Sequence, residues 1–261
     1  KNEFQIVIDM PEGTTLERTA VVTQEIAQYL STRPEVVNYQ NYVGTSAPIT
    51  FNGLVRHYDL RGGSNMADIQ VNLLDKGERS IQSHGIAKLL RPEIQKIATK
   101  YAANVKIVEV PPGPPVLSTI VAEIYGPDYE KQIEVANSVQ NILKNTADVV
   151  DIDWMVEAAQ KEYQFVINKE KAMLYGVAPQ QIAYTMNMAL SNKSITTLYD
   201  ESSVNQIGLL LSLEEKEKSN IQESNKLKVK LTHGNLVSIA DLINIEETTS
   251  AKSIYRKNQK R

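Results

Sequence analysis

Four prolines and a glycine between two β-branched runs dominate the chain. Ala103 to Gly126 reads ANVKIVEV, PPGPP, VLSTIVAEIYG. Proline fixes φ and donates no hydrogen bond, so Pro111 to Pro115 cannot be a helix or a central strand. The stretch reads as a stiff connector between two sheets. The chain on either side looks like copies of one unit. ERTAVVTQEIAQYLSTRPEVVNYQNYV (Glu17 to Val43) aligns with EKQIEVANSVQNILKNTADVVDIDWMV (Glu130 to Val156) at an offset of 149 − 36 = 113 residues. The same offset pairs Ile26 with Val139, Leu30 with Leu143 and Glu35 with Asp148. Matches in one element order at one spacing point to duplication.

Each copy is expected to run strand, helix, strand, with Thr14 and Asp128 capping the helices. In the first copy, Phe4 to Met10 reads as a strand and Thr15 to Ser31 as a helix with an apolar stripe through Ile26 and Leu30. Glu35 to Val43 returns as a strand. Gly44 to Asn65 reads as a long loop, and Asp68 to Leu74 alternates as a half-buried strand. Ser80 to Tyr101 is helical with Pro92 inside it, and Asn104 to Val110 closes the unit. The order βαββαβ predicts a split-βαβ, ferredoxin-like sandwich. The second copy begins with strand Ser118 to Tyr125, helix Tyr129 to Asn145 and strand Val149 to Val156.

Instead of completing itself, the second copy meets another α+β pattern. Tyr163 to Ile167 is a predicted strand, Lys169 to Tyr175 and Pro179 to Leu190 are predicted helices. Strands follow at Gln206 to Leu213, Lys226 to Leu231 and Leu236 to Ile245, with a turn at His233-Gly234-Asn235. SIYRKNQKR near the end reads as a hairpin with Lys257 to Lys260 at its tip. The fold class is therefore α+β: tandem ferredoxin-like units, the second interrupted by an insertion.

The chain has 261 residues, enough for two or three small cores, with 42% hydrophobic and 23% charged residues. A net charge of −3 gives no electrostatic reason to expect nucleic acid as a partner. There is no cysteine, hence no disulfide and no thiolate chemistry. No apolar run approaches the ~20 residues that cross a bilayer. The abrupt start and stop suggest a piece of a longer protein. No GxSxG, HExxH, P-loop or dinucleotide turn occurs, so no enzyme activity is expected. Asp151 and Asp153 share a strand face and read as solvated rather than as a catalytic pair.

MPEGTTLERT (Met10 to Thr19), VPPGPPVLSTIVAEIYGPD (Val110 to Asp128), VVDIDWMVE (Val149 to Glu157), FVINKEKAMLYGVAPQQIAYTM (Phe165 to Met186) and LVSIADLINIEE followed by IYRKNQKR carry a resemblance. Their order resembles the large periplasmic loop of a resistance-nodulation-division (RND) efflux transporter of the AcrB type, the second such loop more than the first. The resemblance implies porter subdomains at residues 1–110 and 116–160, a docking subdomain inserted at 161–249, and re-entry into the second porter subdomain at 250–261. It also implies a proton-driven homotrimeric exporter on the inner membrane. Its partners would be its own membrane helices, its first periplasmic loop, a periplasmic adaptor, an outer-membrane channel and a small-molecule efflux substrate. Substrate would pass through a cleft between porter subdomains, then up a docking funnel. The proton-carrying residues would lie in membrane helices outside this chain, and no cofactor is implied.

The candidate substrate site is the loop Gly44 to Asn65 with the strands beside it: Phe51, Arg56, His57, Tyr58 and Arg61 in the loop, Gln40, Tyr42 and Gln70 on the strands. Long loops in compact domains are often functional, although a solvated surface loop is the plain alternative. In the family a corresponding loop separates the access and deep pockets. Drug exporters line the deep pocket with phenylalanines, whereas Gln40, Thr45, Ala47 and Gln70 stand at such positions here. Arg56 and Arg61 instead favour an anionic or amphipathic solute. Trp154 and Met155 would stand near the cleft, with core packing the commoner role for a tryptophan. For a copper- or silver-type metal exporter, Met66 is one suitable thioether, but Val7 and Leu117 stand at the other methionine positions. His57, His84 and His233 have no ligand spacing, and His84 is expected on a helix surface. A soluble regulator built from tandem ferredoxin-like domains is the competing class. Apolar segments flanking the chain in its parent would separate it from the exporter.

Overall fold

The computed structural model describes residues 2–48, 55, 58–109, 118–191, 193–218, 226–231 and 234–260. The proline connector lies outside them. The described chain divides into two compact units, residues 1–160 with 251–261, and residues 161–250.

In the first unit, β1 (Glu3–Asp9), β2 (Val36–Thr45), β3 (Gly62–Leu73) and β4 (Asn104–Glu109) form one sheet in the order β2-β3-β1-β4. Every neighbouring pair is antiparallel. With α1 (Leu16–Ser31) and α2 (Ser83–Lys100), this is the ferredoxin-like βαββαβ arrangement predicted from the sequence. Phe4, Ile6 and Ile8 of β1, Ile69 and Val71 of β3, and Val105 and Ile107 of β4 meet Ile26 and Leu30 of α1 and Ile86, Leu90 and Ile94 of α2 in one core. Period-2 alternation sends the intervening residues to the opposite face of the sheet.

Local details depart from the sequence expectations. Thr15, not Thr14, caps α1; its side chain accepts from Arg18 N. Strands β2 and β3 extend further than their apolar alternation, so the connecting segment is residues 46–61 rather than 44–65. A register shift between Val43 and Thr45 accompanies Gly44 at φ +78°. That is the left-handed conformation glycine adopts without a Cβ penalty. Helix α2 runs through Pro92 as one span.

The second copy forms its helix α3 (Tyr129–Lys144), with Asp128 accepting from Glu130 N and Lys131 N as predicted. Its two strands do not form. Residues 118–125 and 149–156 carry no ladder. A strand is stable only when its backbone groups find partners. Among the described residues none forms a backbone ladder with these segments. Nor, among the described residues, does a sheet lie against this helix: Ile26 and Leu30 of α1 are fully buried, whereas their counterparts Val139 and Leu143 are half-buried and Ile142 is 66% exposed. Near the end, Lys257 and Lys260 exchange two backbone hydrogen bonds of 2.9 and 3.0 Å around Asn258 (φ +51°) and Gln259 (φ +63°). Two positive φ values make this the mirror-image turn of a tight hairpin, at the tip the sequence indicates.

The second unit pairs β5 (Lys161–Ile167) with β10 (Ile243–Thr249), β6 (Ser194–Leu198) with β7 (Ile207–Leu210), and β8 (Lys228–Lys230) with β9 (Leu236–Ser238). Helices α4 (Lys169–Leu174) and α5 (Pro179–Leu190) pack Ala172, Ile182 and Met186 against Val229, Val237, Ile239 and Leu242. A further helical turn, α6, spans Glu215–Lys218. Strand β6 is absent from the sequence reading because SITTL carries only two large apolar residues. The predicted strand 236–245 is two strands separated by a 3₁₀ turn at Ile239–Asp241. His233 lies outside the described residues, but Gly234 (φ +91°) donates to Leu231 O across that turn. Among the described residues no helix is long and apolar enough to cross a membrane.

Candidate functional site

The sheet face turned away from the helices is ordered in rows across the strands. Gln40 of β2 lies opposite Gln70 of β3, which lies opposite Gln5 of β1. The next row sets Asn38, Asn72 and Glu3 side by side, with Asn72 Nδ2 donating to Asn38 Oδ1 at 2.7 Å. On the other side Tyr42, Asp68, Val7 and Lys106 form a row. The Tyr42 hydroxyl donates to Gln40 Oε1 at 2.7 Å, and Gln70 Nε2 donates to Glu3 Oε2 at 3.2 Å. Three of the predicted site residues, Gln40, Tyr42 and Gln70, are thus brought together on one face.

One end of this face holds a buried ionic network. Arg61 Nη1 lies 2.6 Å from Asp9 Oδ1, its Nη2 donates to Ile8 O at 3.0 Å, and its Nε is 3.4 Å from Asp68 Oδ1. Asp68 is 1% exposed and accepts from Ala47 N at 2.9 Å. Lys106, 5% exposed, bridges Asp9 Oδ2 at 2.7 Å and Asp153 Oδ2 at 2.8 Å. Burial pushes the Asp9 carboxyl up, but Lys106 and Arg61 outweigh it and hold it below its ordinary value. Burial raises Asp68, only partly offset by the Ala47 N–H and Arg61. For Lys106 burial opposes the charge, and Asp9 with Asp153 overcomes it and raises the pKa.

This network bears on the expectation for Arg61. Arg61 is 13% exposed and held by two carboxylates. Its charge is balanced by carboxylates inside the protein. Tyr58 sits in a 3₁₀ turn (Tyr58–Leu60), half-buried, with the Arg61 guanidinium 5.9 Å from its ring centre. Phe51, Arg56 and His57 lie outside the described residues.

Trp154 and Met155 stand in the irregular segment 149–160 rather than on a strand; Trp154 is half-buried and Met155 is 70% exposed. Asp151 and Asp153 are ion-paired rather than simply solvated: Asp151 pairs with Arg91, and the more exposed Asp153 with Lys106. His84 lies on the helix surface as expected, its Nδ1 2.9 Å from Glu109 Oε1. Among the described residues no group of three or more His, Cys, Asp or Glu side chains is placed to hold a metal ion.

Sequence reading did not single out Asp9 or Lys106. The signal was present. A lysine inside the apolar run NVKIVE, and an aspartate closing EFQIVID, occupy core-strand positions where an unpaired charge is too costly to bury.

The AcrB/AcrD/AcrF family model matches residues 1–261, and the chain belongs to that family of RND transporters. No curated protein matches it. Two solved structures, crystal forms I and II of a heavy metal efflux pump, are similar to the whole chain with TM-scores of 0.73 at 13% identity. The chain spans 27% and 26% of their respective lengths. At that identity the likeness concerns the fold.

Proposed function

We propose, taking membership of the family as premise, that this chain is the periplasmic, solute-contacting and docking portion of a proton-driven exporter on the inner membrane. The observation behind the reading is the open polar face, where Gln40, Tyr42 and Gln70 stand together on a rigid sheet while the helices cover the other side. Sites built on strands hold their side chains more tightly than sites on loops. The proposed contact set is these three with Tyr58, the loop residues Phe51, Arg56 and His57, and Trp154 and Met155 from the second copy. The unit of residues 161–250 is the proposed docking part. Following the family plan, the working assembly is a homotrimer that includes the membrane helices and meets an adaptor and an outer-membrane channel.

Carboxamides, with charged groups at one end, rather than phenylalanines line the described part of the face, so a broadly greasy drug pocket is not the expected chemistry. The proposed cargo is a small molecule that takes up hydrogen bonds from Gln40, Tyr42 and Gln70. A second reading, metal-cation export, draws on the matched structures being of a heavy metal efflux pump and on Met66 opposite Asp9 in the register. Its weakness is that Val7 on the neighbouring strand offers no donor.

Expression of the full-length transporter in a host stripped of its own pumps tests both. Retention of neutral and anionic organic solutes, of dyes and of Cu(I) is measured for the wild type and for Gln40→Trp and Gln70→Trp. Export of organic solutes with a profile altered by the substitutions is the expected result. Export of Cu(I) alone selects the second reading. Unchanged retention of every probe overturns both.

A further inference from the structure

Strand β4 is the outer strand of the sheet; β1 occupies one edge. Three consecutive residues of the second copy cover the other. Asn104 Nδ2 donates to Ile152 O at 3.3 Å, and Ile107 N donates to Asp151 Oδ2 at 3.3 Å. Lys106 reaches Asp153 at 2.8 Å, and Arg91 of α2 pairs with Asp151. The Asp151 backbone stands at φ +56°, an uncommon conformation for a residue with a side chain, held where its carboxylate meets two partners.

The grip differs from a strand pairing. Each of its four contacts uses a side chain, two are ionic, and Asp153 is more than half exposed. Such contacts release without disturbing the ladder between β1 and β4. When they release, the β4 edge offers unpaired backbone groups to any strand that approaches.

We propose that Asp151 and Asp153 form a releasable ionic latch that docks the second repeat on the β4 edge, with Lys106 and Arg91 as its keepers. Closed, the latch ties the two repeat copies together and protects the edge. Open, it frees the edge and lets the arm that carries Trp154 move. The inference does not depend on what the polar face binds.

Trp154 is the only tryptophan in the chain, next to the latch in sequence, so its fluorescence reports the arm directly. The 261-residue chain is compared with Asp151→Asn/Asp153→Asn and with Arg91→Met, which leaves the Asp9–Lys106 pair intact, by acrylamide quenching of Trp154 and by amide hydrogen exchange. In both variants quenching should rise and exchange at Ile107 should quicken about tenfold, while exchange at Ile69 in central β3 stays unchanged. Salt near ~1 M should move the wild type towards the variants and leave the double variant as it was. Unchanged quenching and unchanged Ile107 exchange in the double variant overturn the latch. So does an equal quickening at Ile107 and Ile69, because the carboxylates would then support the whole sandwich rather than a local joint.

Discussion

The Arg61 guanidinium lies 2.6 Å from the Asp9 carboxylate, on the sheet face that the helices leave open. A residue directly before β3 thereby reaches the end of β1. The Arg61 charge is paired within the fold.

Replacing Arg61 by Met should therefore act on stability first. It leaves Asp9 to Lys106 alone and leaves buried Asp68 without its cation. Breaking a buried pair from one side costs on the order of 3–5 kcal/mol. Chemical denaturation of the chain measures it. A loss below ~0.5 kcal/mol, the range for ordinary surface substitutions, would mean that Arg61 is a solvated charge after all.

Asp9 and Asp68 should bend the pH profile of stability in opposite directions. The folded pKa of Asp9 is lowered, so its contribution is present above the unfolded value of about 3.9 and lost as pH falls through the folded value. That of Asp68 is raised, so its contribution is present below the unfolded value and lost as pH rises through the folded one. Between about pH 3 and 7, Asp9→Asn should become progressively worse relative to the wild type, and Asp68→Asn progressively better. Urea midpoints at several pH values give both slopes. Parallel slopes would remove the network as their cause.

The two repeat helices should differ sharply under truncation. Leu90 is fully buried against the four-stranded sheet, and Leu90→Ala should cost ~2–5 kcal/mol. Ile142 of α3 is largely exposed, and Ile142→Ala should stay within ~0.5 kcal/mol. Equal losses would show that α3 packs as α1 and α2 do.

Gly44→Ala probes the register shift at the end of β2. An added Cβ would stand 2.6 Å from Leu16 Cδ1. Leu16 is exposed and can swing aside, so the main cost is the left-handed backbone, ~1–2 kcal/mol. Thermal unfolding should show the loss; a stabilised variant would mean that the strand straightens without glycine.

The first sandwich was legible because its information is local and redundant. Alternation in EFQIVID, the 3.6-residue stripe through Ile26 and Leu30, and the order βαββαβ all point to the same topology. Gln40 and Gln70 were legible as neighbours because both sit on strands beside one loop. Their direct opposition is a matter of register, which only the assembled sheet supplies. The pairings of the ionic network were not legible: the runs EFQIVID and NVKIVE mark Asp9 and Lys106 as charges in core strands, but Asp9, Arg61, Asp68, Lys106 and Asp153 are scattered over the sequence and meet only after the strands pair.

The amino-acid sequence by itself determined the duplicated pattern, the capped helices and which side chains want burial, since these follow from periodicity and propensity along a few turns of chain. Tertiary structure decided whether each copy could satisfy that pattern. Residues 118–125 and 149–156 have the composition of strands, yet a ladder needs a neighbour, and among the described residues α3 with Asp128 at its cap has no sheet against it. A strand's hydrogen bonds lie between segments, whereas a helix closes its own, so the helix of the second copy formed and its strands did not.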